Sequence, residues 1–147
     1  MLDRRTMLAA GMAAAGAIAA PAIAARKAAA NATFPKDFLW GVATAPHQIE
    51  GNNVASDLWF LENQQPTIFA EPSRDACNSF ALWETDLDIV KSLGLTCYRF
   101  GIEWARIEPE KGLFSQAMLD HYKALIEGCR ARGLAPVVAM SHFTAPR

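Results

Sequence analysis

The sequence carries no strong charge of either sign. Its 14 lysines and arginines stand against 15 aspartates and glutamates, for a formal net charge of −1. A protein that grips nucleic acid needs a basic face, so this balance argues against that class. Paired cysteines are also missing. Cys77, Cys97 and Cys129 are odd in number and show no C-x-x-C spacing, which indicates neither a disulfide framework nor a zinc site. Cys97 and Cys129 fall in apolar patterns and read as small buried hydrophobes, with Cys77 more exposed. No G-x-G-x-x-G turn follows the first strand candidate, only Thr44-Ala45-Pro46-His47-Gln48, and that argues against a dinucleotide site. Aromatic residues are absent from the first thirty positions and frequent from Phe34 onward, a break between two unlike segments.

The aromatic-free segment reads as an address. Arg4 and Arg5 precede an uncharged, mildly apolar run from Met7 to Ala20, rich in Ala and Gly. A cationic end followed by such a run is the pattern of an export signal. The paired arginines are of the twin-arginine type, and the weak hydrophobicity suits that route. Ala22-Ile23-Ala24 supplies the small-x-small pattern for cleavage after Ala24. Residues 1–24 are therefore expected to be a signal peptide, 25–33 a linker and 34–147 the folded domain, in the periplasm or secreted. The whole uncharged run from Thr6 to Ala25 is close to the ~20 residues that span a bilayer, but its Ala/Gly composition makes it a poor anchor, and no membrane attachment is expected after cleavage.

The remainder is 34–147, from a chain that is 52% hydrophobic and 20% charged, a composition that can bury a core. Phe38–Ala43 is a strand candidate, followed by an irregular stretch over 45–78 marked by Pro46, Gly51, Pro66 and Pro72. Phe80, Trp83, Leu87, Val90 and Leu93 recur at helical steps, with Gly94 as the stop. Thr96–Ile102 is a second strand candidate and 108–112 a loop. Ser115 can cap a second helix whose apolar face is Met118, Tyr122, Leu125, Ile126 and Cys129, ended by Gly133. Ala135–Met140 is a third strand, apolar enough to be expected buried on both faces.

Strand, helix, strand, helix, strand makes two consecutive βαβ units and a parallel sheet. In a barrel, Tyr98, Phe100 and Ile102 would face the helices while Cys97, Arg99 and Gly101 face the axis. Polar groups at the C-terminal strand ends would then serve the site, and His142 sits at such an end. Trp40, Trp83 and Trp104 are expected in the core.

Several motifs occur in one order over 34–147: Phe34-Pro35-x-x-Phe38-Leu39-Trp40-Gly41-x-Ala43-Thr44-Ala45, Gln48-Ile49-Glu50-Gly51, Trp83-x-x-Asp86, Leu93-Gly94-Leu95, Tyr98-Arg99-Phe100-Gly101-Ile102-Glu103-Trp104-Ala105-Arg106-Ile107, Pro109-x-x-Gly112, Pro136-Val137-Val138 and His142-Phe143-Thr144-Ala145-Pro146. Together they resemble glycoside hydrolase family 1, the β-glucosidase family. The resemblance implies a (β/α)8 TIM barrel, of which about three βα units are present, and hydrolysis of β-linked glycosides with retention of configuration. It implies no cofactor and no metal. Gln48 and His142 match the residues that hydrogen-bond hydroxyls of the sugar, and an amide and an imidazole can each donate and accept toward a hydroxyl. Arg99 matches the arginine beside the nucleophile, where a guanidinium keeps a carboxylate ionised and in place. Gly101, where many members have serine, Glu103, where many have a small or hydroxyl residue, and Ser141 mark a divergent branch.

Retention needs two carboxylates about 5 Å apart, as acid/base and nucleophile. In the family they follow the fourth strand, in Asn-Glu, and end the seventh, in Thr-Glu-Asn-Gly. Neither motif occurs up to Arg147, and Glu50, Glu62 and Glu103 do not match them. No catalytic residue is therefore assigned within this chain. A full barrel takes ~250 residues, so the isolated chain is expected to be inactive and to fold poorly. The alternative is a non-catalytic sugar-binding or interaction remnant. An exported redox enzyme is disfavoured by the missing Gly-rich turn and paired cysteines.

Overall fold

A computed structural model describes residues 33–147. The expected signal peptide, and nearly all of the linker, lie outside the described residues. The described part falls into two units, divided after Phe38. In the first, a turn is closed by the Phe38 N–H on the Pro35 carbonyl at 3.0 Å, with the rings of Phe34 and Phe38 4.5 Å apart.

The second unit runs from Leu39 to Arg147. Its elements are β1 (Gly41–Ala43), α1 (Pro46–Ile49), α2 (Asp57–Glu62), α3 (Ser79–Ser92), β2 (Cys97–Gly101), α4 (Trp104–Ile107), α5 (Gln116–Ala131) and β3 (Ala135–Ala139). The three strands form a parallel sheet in the order β1-β2-β3, with Gly41 beside Cys97 and Cys97 beside Ala135. These are the expected βα units, the N-terminal part of a (β/α)8 barrel.

The helices α3 and α5 form where the apolar residues recur at helical spacing. Ser115 caps α5, its Oγ accepting from the Met118 N–H at 3.4 Å. Gly94 and Gly133 sit at φ 75° and 70° just past the helix ends, as left-handed terminators. Behind the sheet, Leu87 and Val90 of α3, Tyr98 and Phe100 of β2, Leu125 and Cys129 of α5, and Leu134 form one buried cluster. Trp83, Ile102 and Ile126 pack against it. Gly128 lets the two helices approach: a Cβ there would stand 2.5 Å from the Trp83 ring.

Four expectations need correction. The stretch 45–78 is not wholly irregular but contains α1 and α2, each too short to show a period. Leu93 is exposed rather than on the buried face of α3, because it is the C-cap, where the chain turns away. β3 is only half-buried, with Val137 41% exposed, since among the described residues it pairs with β2 on one edge alone. Trp40 and Trp104 are about half-exposed, and of the three tryptophans only Trp83 packs on the core. The cysteines behave as expected: Cys97 and Cys129 are buried, Cys77 is exposed, and all three are free thiols. Burial pushes the Cys129 thiol up to about 11, so it stays protonated at neutral pH.

Candidate functional site

Parallel strands send all three following loops to one end of the sheet, the end where a barrel builds its site. β1 runs into α1 and α2, β2 into α4, and β3 into the turn 141–146. Each loop is packed against the others by polar groups.

The first polar cluster centres on Glu50, which follows α1 and is buried. Its Oε2 accepts from Arg106 Nε of α4 at 2.9 Å, and both its oxygens lie 3.0–3.1 Å from the Tyr122 hydroxyl of α5. Arg106 also donates to the Gly51 carbonyl and lies over the Phe80 ring at 4.4 Å. Burial outweighs Arg106 and Tyr122 and lifts the Glu50 carboxyl to about 7, with the nearby Glu103 adding to the rise. Burial, with Glu50 beside it, also raises the Tyr122 phenol well above its usual range.

The second cluster centres on Glu103, only 1% exposed. Its Oε2 accepts from Asn53 Nδ2 and from Thr144 Oγ1, each at 2.6 Å. Its backbone N–H donates to the Tyr122 hydroxyl at 3.2 Å, which joins the two clusters. A third pair is buried beneath α2: His47 Nε2 lies 3.4 Å from Glu62 Oε2, and Ser73 Oγ donates to Glu62 Oε1 at 2.5 Å. Glu50, Glu62 and Glu103 thus each bond to internal partners, while Glu103 Oε1 is buried with none among the described residues.

Gln48 lies on α1 with an exposed side chain that makes no hydrogen bond among the described residues. His142 is half-buried near the start of the loop after β3, its ring 4.3 Å from that of Phe143, and its buried Nδ1 has no partner among the described residues. Gln48 and Phe143 line one open cleft together with His47, Glu62 and Ser73. The fold therefore brings Gln48 and the His142 turn to one place. Arg99 is not among the residues lining that cleft. It stands in mid-strand on β2, half-buried, beside Ala43 and Val137, on the face opposite Tyr98 and Phe100. Its guanidinium makes no hydrogen bond or ion pair among the described residues.

Gly101 has a structural reason. A Cβ there would lie 2.6 Å from the Pro46 ring, so the missing side chain lets α1 seat on the end of β2. Among the described residues no group of three or more His, Cys, Asp or Glu side chains is placed to hold a metal ion. Nor is any helix among them long and apolar enough to cross a membrane.

A family model described as glycosyl hydrolase family 1 matches residues 30–147. The chain belongs to glycosyl hydrolase family 1. Among characterised relatives, the family 1 chain is 39% identical over 122 residues to a beta-glucosidase of Agrobacterium sp., a match covering 78% of this chain and 27% of that protein. Among solved structures, it resembles a beta-glycosidase at 60% identity and a TM-score of 0.76, covering 77% of this chain and 27% of the other. It also resembles a beta-glucosidase from Thermotoga maritima, solved with a methoxycarbonyl-substituted glucoimidazole, at 37% identity and a TM-score of 0.71, covering 77% of this chain and 28% of that one. The chain spans about a quarter of the length of these family 1 proteins.

Asn53, Thr144, Arg106 and Tyr122 were not singled out in the sequence as polar site residues. The one available signal was Glu103, a carboxylate where the family resemblance leads one to expect a small or hydroxyl residue. Period-based reading passes over such residues, because their burial depends on loops meeting in space.

Proposed function

We propose that this chain supplies the first three strands, with the helices between them, of a retaining β-glycosidase, and that the full-length protein hydrolyses β-linked glycosides. The observation that carries the reading is the meeting of Gln48 and the His142 turn at the C-terminal end of a parallel sheet, in a chain of family 1. The exposed Gln48 amide is free to bond sugar hydroxyls, and the half-buried His142 imidazole can donate and accept toward them. The unengaged Arg99 guanidinium suits a place beside a carboxylate nucleophile, which it would hold ionised. The acid/base and nucleophile are then supplied by later strands, about 5 Å apart. The Thermotoga maritima relative was solved in complex with a methoxycarbonyl-substituted glucoimidazole, and a glucose-like sugar is the ligand class this reading assigns here. We further propose that residues 1–24 are a twin-arginine signal cleaved after Ala24, which places the enzyme in the periplasm or outside the cell.

The test is turnover of an aryl β-glucoside by the full-length protein, with anomeric configuration followed by NMR. Retained configuration is expected. His142→Ala or Gln48→Ala is expected to lower kcat/KM by about 10–100-fold, the size of a lost bond that strengthens in the transition state, without a large change in melting. Wild-type kinetics in both variants would sink the assignment of these residues. Mass spectrometry of the exported protein is expected to find Ala25 as the first residue.

A further inference from the structure

We propose that Glu103 is a positioning residue that holds the His142 turn in its working orientation. The inference rests on the reading of His142 as a sugar-binding group.

The turn is not held by its own sequence. The Thr144 N–H bonds the His142 carbonyl at 3.0 Å, and Phe143 between them sits at φ 70°. A phenylalanine stays in the left-handed region only where its surroundings hold it there. What holds it is visible: Thr144 Oγ1 donates to Glu103 Oε2 at 2.6 Å, and both residues are buried. One residue further on, Ala145 N–H donates to Asp57 Oδ1 at 3.0 Å, and Asp57 N–H donates to the Ala145 carbonyl at 2.9 Å. The β3 loop is therefore clamped from two sides, by the β2 loop through Glu103 and by α2 through Asp57.

Glu103 is itself fixed. Its backbone N–H is bound to the Tyr122 hydroxyl of α5, and its Oε2 also accepts from Asn53. Asn53 belongs to the segment after β1 that carries Gln48. One carboxylate oxygen thus ties the segment bearing Gln48 to the turn bearing His142. A carboxylate oxygen can accept from two donors at once, and such charge-assisted bonds are short and strong. The small or hydroxyl residue that the family resemblance leads one to expect here would offer no carboxylate, so the tie depends on Glu103 itself.

The test is made in the full-length protein with Thr144→Val, Glu103→Ala and Glu103→Gln, each alone and combined with His142→Ala. Thr144→Val and Glu103→Ala are expected to lower kcat/KM for an aryl β-glucoside about tenfold, and less than about twofold further once His142 is already alanine, because groups that act through one another are not additive. Glu103→Gln keeps an acceptor oxygen and is expected to recover most of the loss. Fully additive losses would show a merely structural role and overturn the proposal. If Glu103→Ala does not fold, Thr144→Val, which removes only a hydroxyl, carries the same cycle. A crystal structure of Thr144→Val decides independently of turnover: Phe143 is expected to leave the left-handed region, and an unchanged turn overturns the proposal. If the wild-type protein hydrolyses no β-glycoside, the functional reading fails while this structural readout still decides the tie.

Discussion

The two sides of the sheet are built on different physics. Behind it, α3 and α5 cover β2 with an apolar cluster of Leu87, Val90, Tyr98, Phe100, Leu125 and Cys129. At its C-terminal end, buried contacts run through Glu50, Arg106, Tyr122, Glu103, Asn53 and Thr144. The apolar side is non-directional and tolerates any side chain of fitting volume. The polar end is directional and fails when one partner is lost, because the others stay buried and unsatisfied. Stability can therefore be drawn from the first region, while the second sets where the site residues stand.

The largest expected effect lies at the polar end. Arg106→Met removes the guanidinium paired with Glu50 and is expected to cost about 3–5 kcal/mol above pH 7, measured by denaturant unfolding. At pH 5 the cost is expected to shrink, since Glu50 then takes a proton. An equal cost at both values would mean that Arg106 acts by packing on Phe80 alone.

Leu87→Ala, on the apolar side, is expected to cost about 2–5 kcal/mol and, in the full-length protein under the proposed function, to leave KM for an aryl β-glucoside unchanged. Leu87 is fully buried, so its loss leaves a cavity. A changed KM would show that the two regions are coupled and would break the comparison.

Next is pH. The Glu50 carboxyl is raised in the folded protein to about 7 from 4.5, so the folded state binds the proton more tightly than the unfolded one. The resulting stabilisation is fully present below 4.5 and is lost as pH rises through about 7. At 1.36 kcal/mol per unit this is up to about 3 kcal/mol, and Glu50→Gln is expected to flatten the slope in a melting series. A melting point that climbs over that window would show the Arg106 ion pair outweighing burial.

The smallest effect is expected at a helix end. Ser115→Ala removes the α5 cap and is expected to cost about 1 kcal/mol by thermal melting, with kinetics unchanged.

The apolar side was legible because its signals are periodic and local. The steps from Trp83 to Leu87 and Val90, and from Tyr122 to Leu125 and Cys129, mark one face of each helix whatever lies elsewhere in the chain. Alternation along Cys97–Gly101 separated Tyr98 and Phe100 from Arg99 in the same way. The polar end was legible only in part. Gln48 and His142 were picked out by motif and by their place after a strand. That Gln48 and Phe143, next to His142, line one cleft was not legible, since 95 residues separate Gln48 from Phe143. Glu103 stood out as an unusual residue without a role, because its partners Asn53 and Thr144 are 50 and 41 residues away. Trp40 and Trp104 were misplaced for the opposite reason: size and apolarity favour burial, but burial needs a covering element at that position.

The sequence by itself determined the parallel βα order, the buried faces of α3 and α5, the caps and stops of the helices, and membership in a glycosidase family. The structural features follow from short-range pattern, since backbone geometry repeats over two to four residues, while the family follows from the order of its motifs along 34–147. The tertiary structure alone decided that Glu50, Asn53, Arg106, Tyr122, Glu103 and Thr144 form one buried network, and that Phe143 turns left-handed above it. Hydrogen bonds between loops depend on where the strands deliver those loops, and no local period records that.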